Sequence, residues 1–416
     1  MNIETKINTN TLFEADAGLA SGRVNGYQLD VMPMITTTQA LAEFCSRLAG
    51  APYVTVDTEF MREKTYWPQL CLVQLAGPDE ARAVDPLAPG IDLAPLFDLM
   101  ADTRVLKVFH AARQDLEIFL QLTGRLPTPM FDTQVAAMVC GFGDSIGYEP
   151  LAAQLTQARI DKSMRFTDWS LRPLTEKQVN YALGDVTHLR GIYDKLKALL
   201  EKNGRISWLD GEMAELTSPA TYRVEPEDAW RRLKPRTGNP QFLNVLREVA
   251  AWREREAQER DLPRQRIIRD EAVMEIAANH PANLEQLGRT RGLGKGLVEG
   301  RMGQAILEAV AKGLALPADQ APKMPDKVDL PKGLGPVVDL LKVLLKMKCD
   351  QHGVAQKLVA GSADIDAIAA DDDADVPALK GWRRELFGED ALRLKHGHLG
   401  LAFCTDGRRL RLIPLD

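Results

Sequence analysis

Two acidic residues lie in a segment whose other residues predict a buried strand. Residues 53–60 read YVTVDTEF and follow the breaker sequence GAP. β-Branched and aromatic residues in alternation favour a strand, in which side chains two positions apart point to the same face. Asp57 and Glu59 therefore project side by side, where two carboxylates repel each other and are costly to desolvate. A divalent cation would offset that cost; a solvated strand face or two arginine partners would also explain the pattern.

Two later segments carry residues suited to the same chemistry. Asp115 falls in the first turn of a helix predicted at residues 112–122, where the helix dipole alone favours a carboxylate. Tyr181 and Asp185 are four residues apart in a helix predicted at residues 175–200, so they share one helical face. Taken alone, that pair is explained as well by a solvated helical face. Only the convergence of all these groups in space would make a metal site.

Together these positions resemble the exonuclease motifs of the DEDD superfamily, in its tyrosine-bearing branch. Asp57 and Glu59 match the first motif, Asp115 the second, and Tyr181 with Asp185 the third. The order and the separations agree with the family pattern. Because five positions in three separate segments must all fit, the resemblance is specific.

Two shorter sequences narrow the resemblance to the ribonuclease D family. The run DKS…TDWSLRPLT over residues 161–175 and the sequence FDTQ over residues 131–134 are both similar to that family. Gly184 stands where the family pattern has alanine. A glycine inside a helix costs up to about 1 kcal/mol but does not alter the chemistry.

The resemblance implies a fold, an activity and a set of roles. The expected fold is an α/β nuclease domain, a ribonuclease H-like mixed sheet with flanking helices, followed by all-α helical bundle domains. The expected cofactors are two divalent ions, Mg²⁺ or Mn²⁺, that clamp the attacking and leaving oxygens of an in-line displacement. The family implies that Asp57 bridges both ions, Glu59 and Asp185 complete the first site, and Asp115 supports the second. Tyr181 is expected to orient the attacking water.

The implied reaction is release of 5′-mononucleotides from the 3′ end of RNA. The implied partner is RNA, especially transfer-RNA precursors with 3′ trailers; no obligate protein partner is inferred. One alternative is a 3′→5′ DNA exonuclease of the proofreading or Werner type, which shares all five residues. A second is a non-catalytic RNA-binding scaffold with a vestigial nuclease domain, which an intact set of five residues disfavours.

The local sequence signals agree with the mixed sheet. Strands predicted at residues 70–75 and 81–85 are separated by GPD, and with the first strand they form an antiparallel meander. A strand at 105–109 leads straight into the helix that carries Asp115. Hairpins combined with strand–helix crossovers indicate a mixed sheet with helices on its faces.

The chain divides into four predicted parts. Residues 1–34 are polar and aperiodic, and we predict a disordered or mis-started leader there; residues 35–210 form the exonuclease domain. Residues 237–317 resemble the helicase-and-ribonuclease-D C-terminal (HRDC) domain. After a proline-rich linker, residues 335–416 are predicted to be a degenerate second copy of that helical bundle.

A local basic surplus suggests an RNA surface in an otherwise acidic chain. The net charge is −6, yet residues 231–269 contain eleven basic and five acidic residues. A solvated helix with ion pairs explains such a surplus, and so does a footprint for an RNA backbone. We favour the footprint. The predicted RNA-binding residues are Arg253, Arg255, Arg264, Arg266 and Lys295, the last within GLGKG at residues 292–296.

The composition is typical of a globular protein from a reducing compartment. The chain has 416 residues, 45% of them hydrophobic and 26% charged, as in ordinary globular proteins. Its five cysteines are scattered and never spaced as Cys-x-x-Cys, which argues for a reducing cytoplasm and against a disulfide scaffold or zinc module. It has no run of about eighteen apolar residues that would span a membrane.

Overall fold

The computed structural model describes residues 34–161, 163–324, 331, 333–404, 407 and 409–415, and the backbone alone of 22–24 and 27–29. Most of the predicted leader at 1–34 lies outside these residues, so that expectation stays a prediction. Within it, β1 (Gly22–Val24) pairs with β2 (Tyr27–Leu29) as an antiparallel hairpin.

A six-stranded mixed sheet forms the centre of the exonuclease region. Its strands are β3 Met34–Ile35, β4 Tyr53–Met61, β5 Gln69–Ala76, β6 Ala81–Val84, β7 Leu106–Phe109 and β8 Met130–Asp132. The spatial order is β3-β6-β5-β4-β7-β8. Strands β4, β5 and β6 are antiparallel neighbours, which confirms the meander, whereas β7 and β8 extend the sheet in parallel from β4. The sheet is therefore mixed, as expected.

Helices cover both faces of this sheet. They are α1 Thr38–Leu48, α2 Ala94–Ala101, α3 Arg113–Thr123, α4 Thr133–Val139, α5 Tyr148–Thr156, α6 Glu176–Asn203 and α7 Asp210–Leu216. Val54 and Val56 of β4 enter a core with α1, α2 and α3 on one face. Thr55 faces the opposite side and donates a 2.8 Å hydrogen bond to the Val186 carbonyl of α6. By strand alternation, Asp57 and Glu59 also face α6.

Helix α6 is long because its sequence supplies both a start signal and an apolar stripe. Thr175 caps its N-terminus and forms a reciprocal capping box with Gln178. Leu183, Val186 and Leu189 are buried along the face that packs on the sheet. This packing brings the acidic part of the helix towards β4.

The predicted HRDC region is a helical bundle. It comprises α8 Pro240–Glu259, α9 Arg264–Ile267, α10 Asp270–Asn279, α11 Leu284–Leu287, α12 Lys295–Val298 and α13 Arg301–Ala315. Leu246 and Val249 of α8 pack with Ile276 and Ile306 in its core. Tyr66, from the loop after β4, is buried in the same core and therefore joins the sheet domain to the bundle.

The C-terminal region packs on the exonuclease region. Its elements are α14 Gly335–His352, α15 Gln356–Val359, α16 Ser362–Ala370, α17 Gly381–Arg383, α18 Glu389–Lys395, β9 Leu399–Phe403 and β10 Leu410–Pro414. Leu341 and Phe387 share one core with Ala137 of α4 and Leu196 of α6. Trp208 and Trp382 stack across the contact with their ring centroids 4.1 Å apart. The β9–β10 hairpin was not predicted from the sequence, and the HRDC-like origin of this region stays a prediction.

None of the helices in the described ranges is both long and apolar enough to cross a membrane.

Candidate active site

Strand β4 and helix α6 bring three carboxylates together. Carboxylate oxygens of Asp57, Glu59 and Asp185 all lie within 4.8 Å of one another. Asp57 and Glu59 reach this point because they are two apart on β4, and Asp185 because its turn of α6 packs over that strand. Residues distant in sequence thus meet in space, as the sequence analysis expected.

Asp115 lies beside these three carboxylates, in the first turn of α3. It is buried and accepts a hydrogen bond from the Thr58 hydroxyl on β4. Its negative charge also raises the pKa of Glu59, and that of Asp57 raises the pKa of Asp115. We call Asp57, Glu59, Asp115 and Asp185 the acidic cluster.

The turn that carries Asp115 is fixed by another aspartate. Ala111 adopts a left-handed backbone conformation with φ of 58° between β7 and α3. Asp132, buried at the end of β8, accepts hydrogen bonds from the N–H groups of Ala111 at 3.0 Å and Ala112 at 2.8 Å. The sequence FDTQ thus contributes a residue that positions the acidic cluster.

Burial and mutual repulsion both disfavour the charged form of the cluster. Burial, followed by the neighbouring charge of Asp185, raises the pKa of Asp57 well above its ordinary value. Burial, followed by the charges of the other three aspartates, raises the pKa of Glu59 to about 10. Burial raises the pKa of Asp185 to about 7, and burial is also the first cause of the raised pKa of Asp115. Within the described residues no arginine, lysine or histidine forms an ion pair with any of the four.

This donor set fits a divalent cation. Three converging carboxylates, with Asp115 beside them, offer only hard oxygen ligands, the type that Mg²⁺, Mn²⁺ and Ca²⁺ prefer. A cation would also supply the positive charge that the surrounding side chains do not. The cluster therefore has the composition and the electrostatics of a metal site.

Tyr181 borders the cleft that opens onto the cluster. The cleft has a volume of about 280 Å³, and Asp57, Tyr181 and Asp185 are among its lining residues. Burial, followed by the charge of Asp185, raises the pKa of the Tyr181 phenol. The phenol is therefore protonated at neutral pH and able to donate a hydrogen bond. Its ring lies against buried Trp169, with the centroids 6.1 Å apart.

The cleft also contains residues that the sequence analysis did not single out. His110 and Tyr148 line it, and the Tyr148 hydroxyl donates a 2.9 Å hydrogen bond to the Gly184 carbonyl. The His110 Nδ1 lies 2.9 Å from Thr133 Oγ1, while its buried Nε2 has no hydrogen-bond partner among the described residues. Burial lowers the pKa of His110 and so keeps the ring neutral. The position of His110 directly after β7 was an available signal; Tyr148 carried none.

One further buried polar group lies opposite the cluster. Gln74 pairs with Asp57 in the β4–β5 register, so their side chains point to the same face. The Gln74 side chain is fully buried, and in the described part of the chain neither its amide nitrogen nor its oxygen has a hydrogen-bond partner. It is a candidate for orienting the Asp57 carboxylate.

Two of the five predicted RNA-binding residues are engaged inside the protein. The Arg253 side chain is only 3% exposed and donates a 2.6 Å hydrogen bond to Asp270. Arg264 forms a two-point ion pair with fully buried Glu254 and donates to the Tyr66 hydroxyl at 2.9 Å. For Arg253 the expectation of RNA contact needs correction, because a buried guanidinium cannot reach a phosphate. Arg264 acts first as a link between the sheet domain and the bundle.

The other three predicted RNA-binding residues lie at the surface. Arg255 pairs with exposed Glu227 at 2.9 Å, and Lys295 lies 3.7 Å from exposed Glu299. Arg266 is exposed and makes no ion pair or side-chain hydrogen bond within the described residues. These three remain accessible to a polyanion.

Comparison with known proteins agrees with this architecture. The sequence pattern of a 3′-5′ exonuclease family matches residues 32–201, and that of the HRDC domain matches residues 242–310. The mixed sheet, its acidic cluster and the helical bundle thus define a 3′→5′ exonuclease carrying an HRDC domain.

The relatives narrow the class to one family. Ribonuclease D of Nitrobacter hamburgensis is 55% identical over 92% of this chain and 99% of its own length. Ribonuclease D of Granulibacter bethesdensis is 53% identical over 91% of this chain and 96% of its own. The crystal structure of Escherichia coli RNase D, an exoribonuclease involved in structured RNA processing, superposes with a TM-score of 0.75 at 33% identity. That match covers 88% of this chain and 99% of the Escherichia coli chain.

The chain belongs to the ribonuclease D family. It is a hydrolase, a 3′→5′ exoribonuclease. The expected fold class and activity are therefore confirmed.

Proposed function

We propose that the chain removes mononucleotides from the 3′ ends of structured RNAs with two divalent cations, Mg²⁺ or Mn²⁺, held by the acidic cluster. The observation that carries this proposal is the uncompensated convergence of Asp57, Glu59 and Asp185 within 4.8 Å. Two such ions stabilise the attacking and leaving oxygens of an in-line displacement. The carboxylates of this chain would hold the two cations at the cleft.

The proposed roles of the individual residues are those that the family resemblance implies. Asp57, whose carboxylate lies within 4.8 Å of those of Glu59 and Asp185, would contribute to both cation positions. Glu59 and Asp185 would complete one position. Asp115, which accepts a hydrogen bond from Thr58, would support the other. Tyr181 keeps its proton and orients the attacking water by a hydrogen bond.

Transfer-RNA precursors with 3′ trailers are the proposed substrates. The Escherichia coli relative, described as acting in structured RNA processing, supports this choice. The exposed cations Arg255, Arg266 and Lys295 supply a surface on the HRDC bundle for the RNA body. Recognition would then depend on single-strand access and backbone charge rather than on base edges.

The proposed compartment is the cytoplasm. All five cysteines are free thiols. Unpaired cysteines are typical of a reducing environment.

Time-resolved digestion of a transfer-RNA precursor tests this proposal. The substrate carries a 5′ label and an extended 3′ trailer, and the reaction is run with Mg²⁺ and with a chelator. We expect a ladder that shortens from the 3′ end and stops near the mature end, with mononucleotides as products, only when Mg²⁺ is present. Internal cleavage, or undiminished activity with the chelator, would contradict the proposal.

Digestion rates of single-stranded RNA and of DNA with the same sequence distinguish an exoribonuclease from the alternative, a DNA exonuclease. We expect the RNA to be degraded much faster. Equal rates on the two polymers would favour a general 3′→5′ exonuclease. Release of no mononucleotide from either polymer would favour a binding scaffold.

A further inference from the structure

The loop at residues 163–175, which we call the cleft loop, is fixed to the sheet at one end. Arg172 donates to both carboxylate oxygens of buried Asp85, at 2.8 and 2.6 Å, and to the Cys71 carbonyl at 2.6 Å. It also donates to the Trp169 carbonyl at 2.7 Å, and Trp169 itself is buried. These contacts fix the Arg172 end of the loop to β5 and to Asp85, directly after β6.

The other end of the cleft loop presents two unusual side chains to the solvent. Phe166 is 93% exposed, the most exposed of the large hydrophobic residues in the described part of the chain. The Arg165 guanidinium lies over its ring, 5.4 Å from the centroid. Solvation of a phenylalanine ring to this extent is unfavourable and gains nothing for the fold. A surface aromatic beside a cation is the arrangement that single-stranded nucleic acids stack on.

Arg165 places this pair at the acidic cluster. It lines the same cleft as Asp57, Tyr181 and Asp185, and its charge acts on the Tyr181 phenol. It is the only arginine or lysine among the lining residues of that cleft, and it forms no ion pair within the described ranges. In a cleft lined by carboxylates, a single unpaired guanidinium is the group that attracts a phosphodiester.

We propose that Phe166 and Arg165 form a clamp for the 3′-terminal nucleotide of the RNA. This proposal rests on the proposed function and deepens it. Phe166 stacks on the terminal base, and Arg165 binds a backbone phosphate. The clamp holds the end of the strand while the acidic cluster acts on the scissile bond. Because every base has a π face, the clamp accepts any terminal base and matches a nuclease that removes successive nucleotides.

A pair of RNA substrates tests the role of Phe166. One is an ordinary 5′-labelled single strand; the other is identical except that its 3′-terminal residue lacks a base. For the unaltered protein we expect KM to rise about tenfold or more when the terminal base is absent, because that base has nothing to stack. Phe166→Ala should raise KM for the ordinary RNA by a similar factor and abolish the difference between the two substrates. Phe166→Trp should restore the difference.

Leu171 provides a matched control. It belongs to the same loop and is 63% exposed, but it does not line the cleft. Leu171→Ala should leave both KM values and their ratio unchanged. In Leu171→Ala, kcat for the ordinary RNA should also stay within about twofold of the unaltered protein.

Salt dependence tests the role of Arg165. In Arg165→Gln, the slope of log affinity against log salt should fall by about 0.7, the value for loss of one phosphate contact on a single strand. Lys202→Gln, an exposed charge in the last turn of α6, should leave that slope unchanged.

The outcomes separate this proposal from the one it depends on. If the unaltered protein does not shorten RNA from its 3′ end, the proposed function fails. If the protein shortens RNA but Phe166→Ala keeps the full difference between the two substrates, the clamp is wrong. A substrate without its terminal base that binds the unaltered protein as well as ordinary RNA also overturns the clamp.

Discussion

The cleft and the HRDC bundle both contain a local excess of one charge. In the cleft the carboxylates lack ion-pair partners within the described residues, whereas in the bundle two of the arginines are paired. In the cleft, Asp57, Glu59 and Asp185 converge without an ion-pair partner in the described part of the chain, and their pKa values rise. In the bundle, Arg264 meets fully buried Glu254 and Arg253 meets Asp270. The same kind of sequence signal, a local excess of one charge, thus has two different outcomes.

This difference distinguishes charges that stabilise the fold from charges that are available to bind a partner. Charges that the fold neutralises hold elements together, as Glu254, Arg264 and Tyr66 join the bundle to the sheet domain. Charges that the fold leaves uncompensated remain available for an external partner of opposite sign. We therefore propose that the acidic cluster binds cations and that Arg165 and Arg266 bind phosphates.

We expect the largest loss of activity when one carboxylate of the acidic cluster is removed. Asp57→Asn or Asp185→Asn should reduce exonuclease activity by about 10³-fold or more, because several kcal/mol of transition-state stabilisation depend on the bound charge. RNA binding and the circular dichroism spectrum should be unchanged. Full activity in either variant would remove that residue from the site.

A smaller loss is expected when the phenol at the edge of the cluster is removed. Tyr181→Phe should lower kcat by about 10²-fold, the size of effect seen when one preorganised hydrogen bond to the reacting groups is lost. KM should change little, because the ring that packs on Trp169 is retained. Single-turnover kinetics measures the chemical step directly; an unchanged rate would exclude the proposed role of Tyr181.

The uncompensated cluster should also make the metal-free protein sensitive to pH. Folding raises the pKa of Asp185 to about 7 and of Glu59 to about 10, so it favours their protonated forms. Their contribution to the free energy of unfolding is complete below about pH 4. It is lost as the pH rises through about 7 for Asp185 and about 10 for Glu59. Thermal unfolding in a chelator should therefore show Tm falling from about pH 5 to about pH 9.

Two comparisons make this pH prediction specific. Asp185→Asn should reduce the decrease in Tm between about pH 5 and about pH 7. Asp319 is an exposed residue in the turn Ala318–Gln320, and Asp319→Asn should leave that decrease unchanged. Mg²⁺ should raise Tm more at about pH 8 than at about pH 5, since cations bind the ionised carboxylates. A Tm that rises with pH in the chelator would contradict the uncompensated charge.

The smallest effects distinguish paired from unpaired arginines in the bundle. Arg253→Ala should lower the free energy of unfolding by about 1–3 kcal/mol, because it leaves the Ile268 carbonyl and Asp270 without their donor. Arg266→Ala should leave stability unchanged and lower RNA affinity a few-fold, with a shallower salt dependence. Chemical denaturation and RNA binding measured on both variants check this; the reverse pattern would contradict the assignment.

The elements that position the acidic cluster were predictable because their signals are local. Alternation predicted the strand with Asp57, and a capping box predicted the start of the helix with Asp185. The resemblance then assembled distant segments into one site, which neither periodicity nor spacing could do.

The contacts that decide which arginines are free could not be predicted, because their partners are distant in sequence. Arg253 and Asp270 are 17 residues apart, and Arg264 reaches Tyr66 across 198 residues. The parallel pairing of β3 with β6 is likewise set by tertiary packing. The C-terminal hairpin did carry an alternating signal, RLRL at residues 409–412, but we had predicted a second helical bundle there.

The most direct test of the central claim is the number of Mn²⁺ ions bound per chain in the presence of a 5′-mononucleotide, measured by calorimetry on the unaltered protein and on Asp57→Asn. We predict two ions for the unaltered protein and loss of high-affinity binding in the variant, because we propose Asp57 as a ligand at both positions. Equal binding by the two proteins would contradict the claim that the uncompensated carboxylates of β4 and α6 hold the catalytic cations.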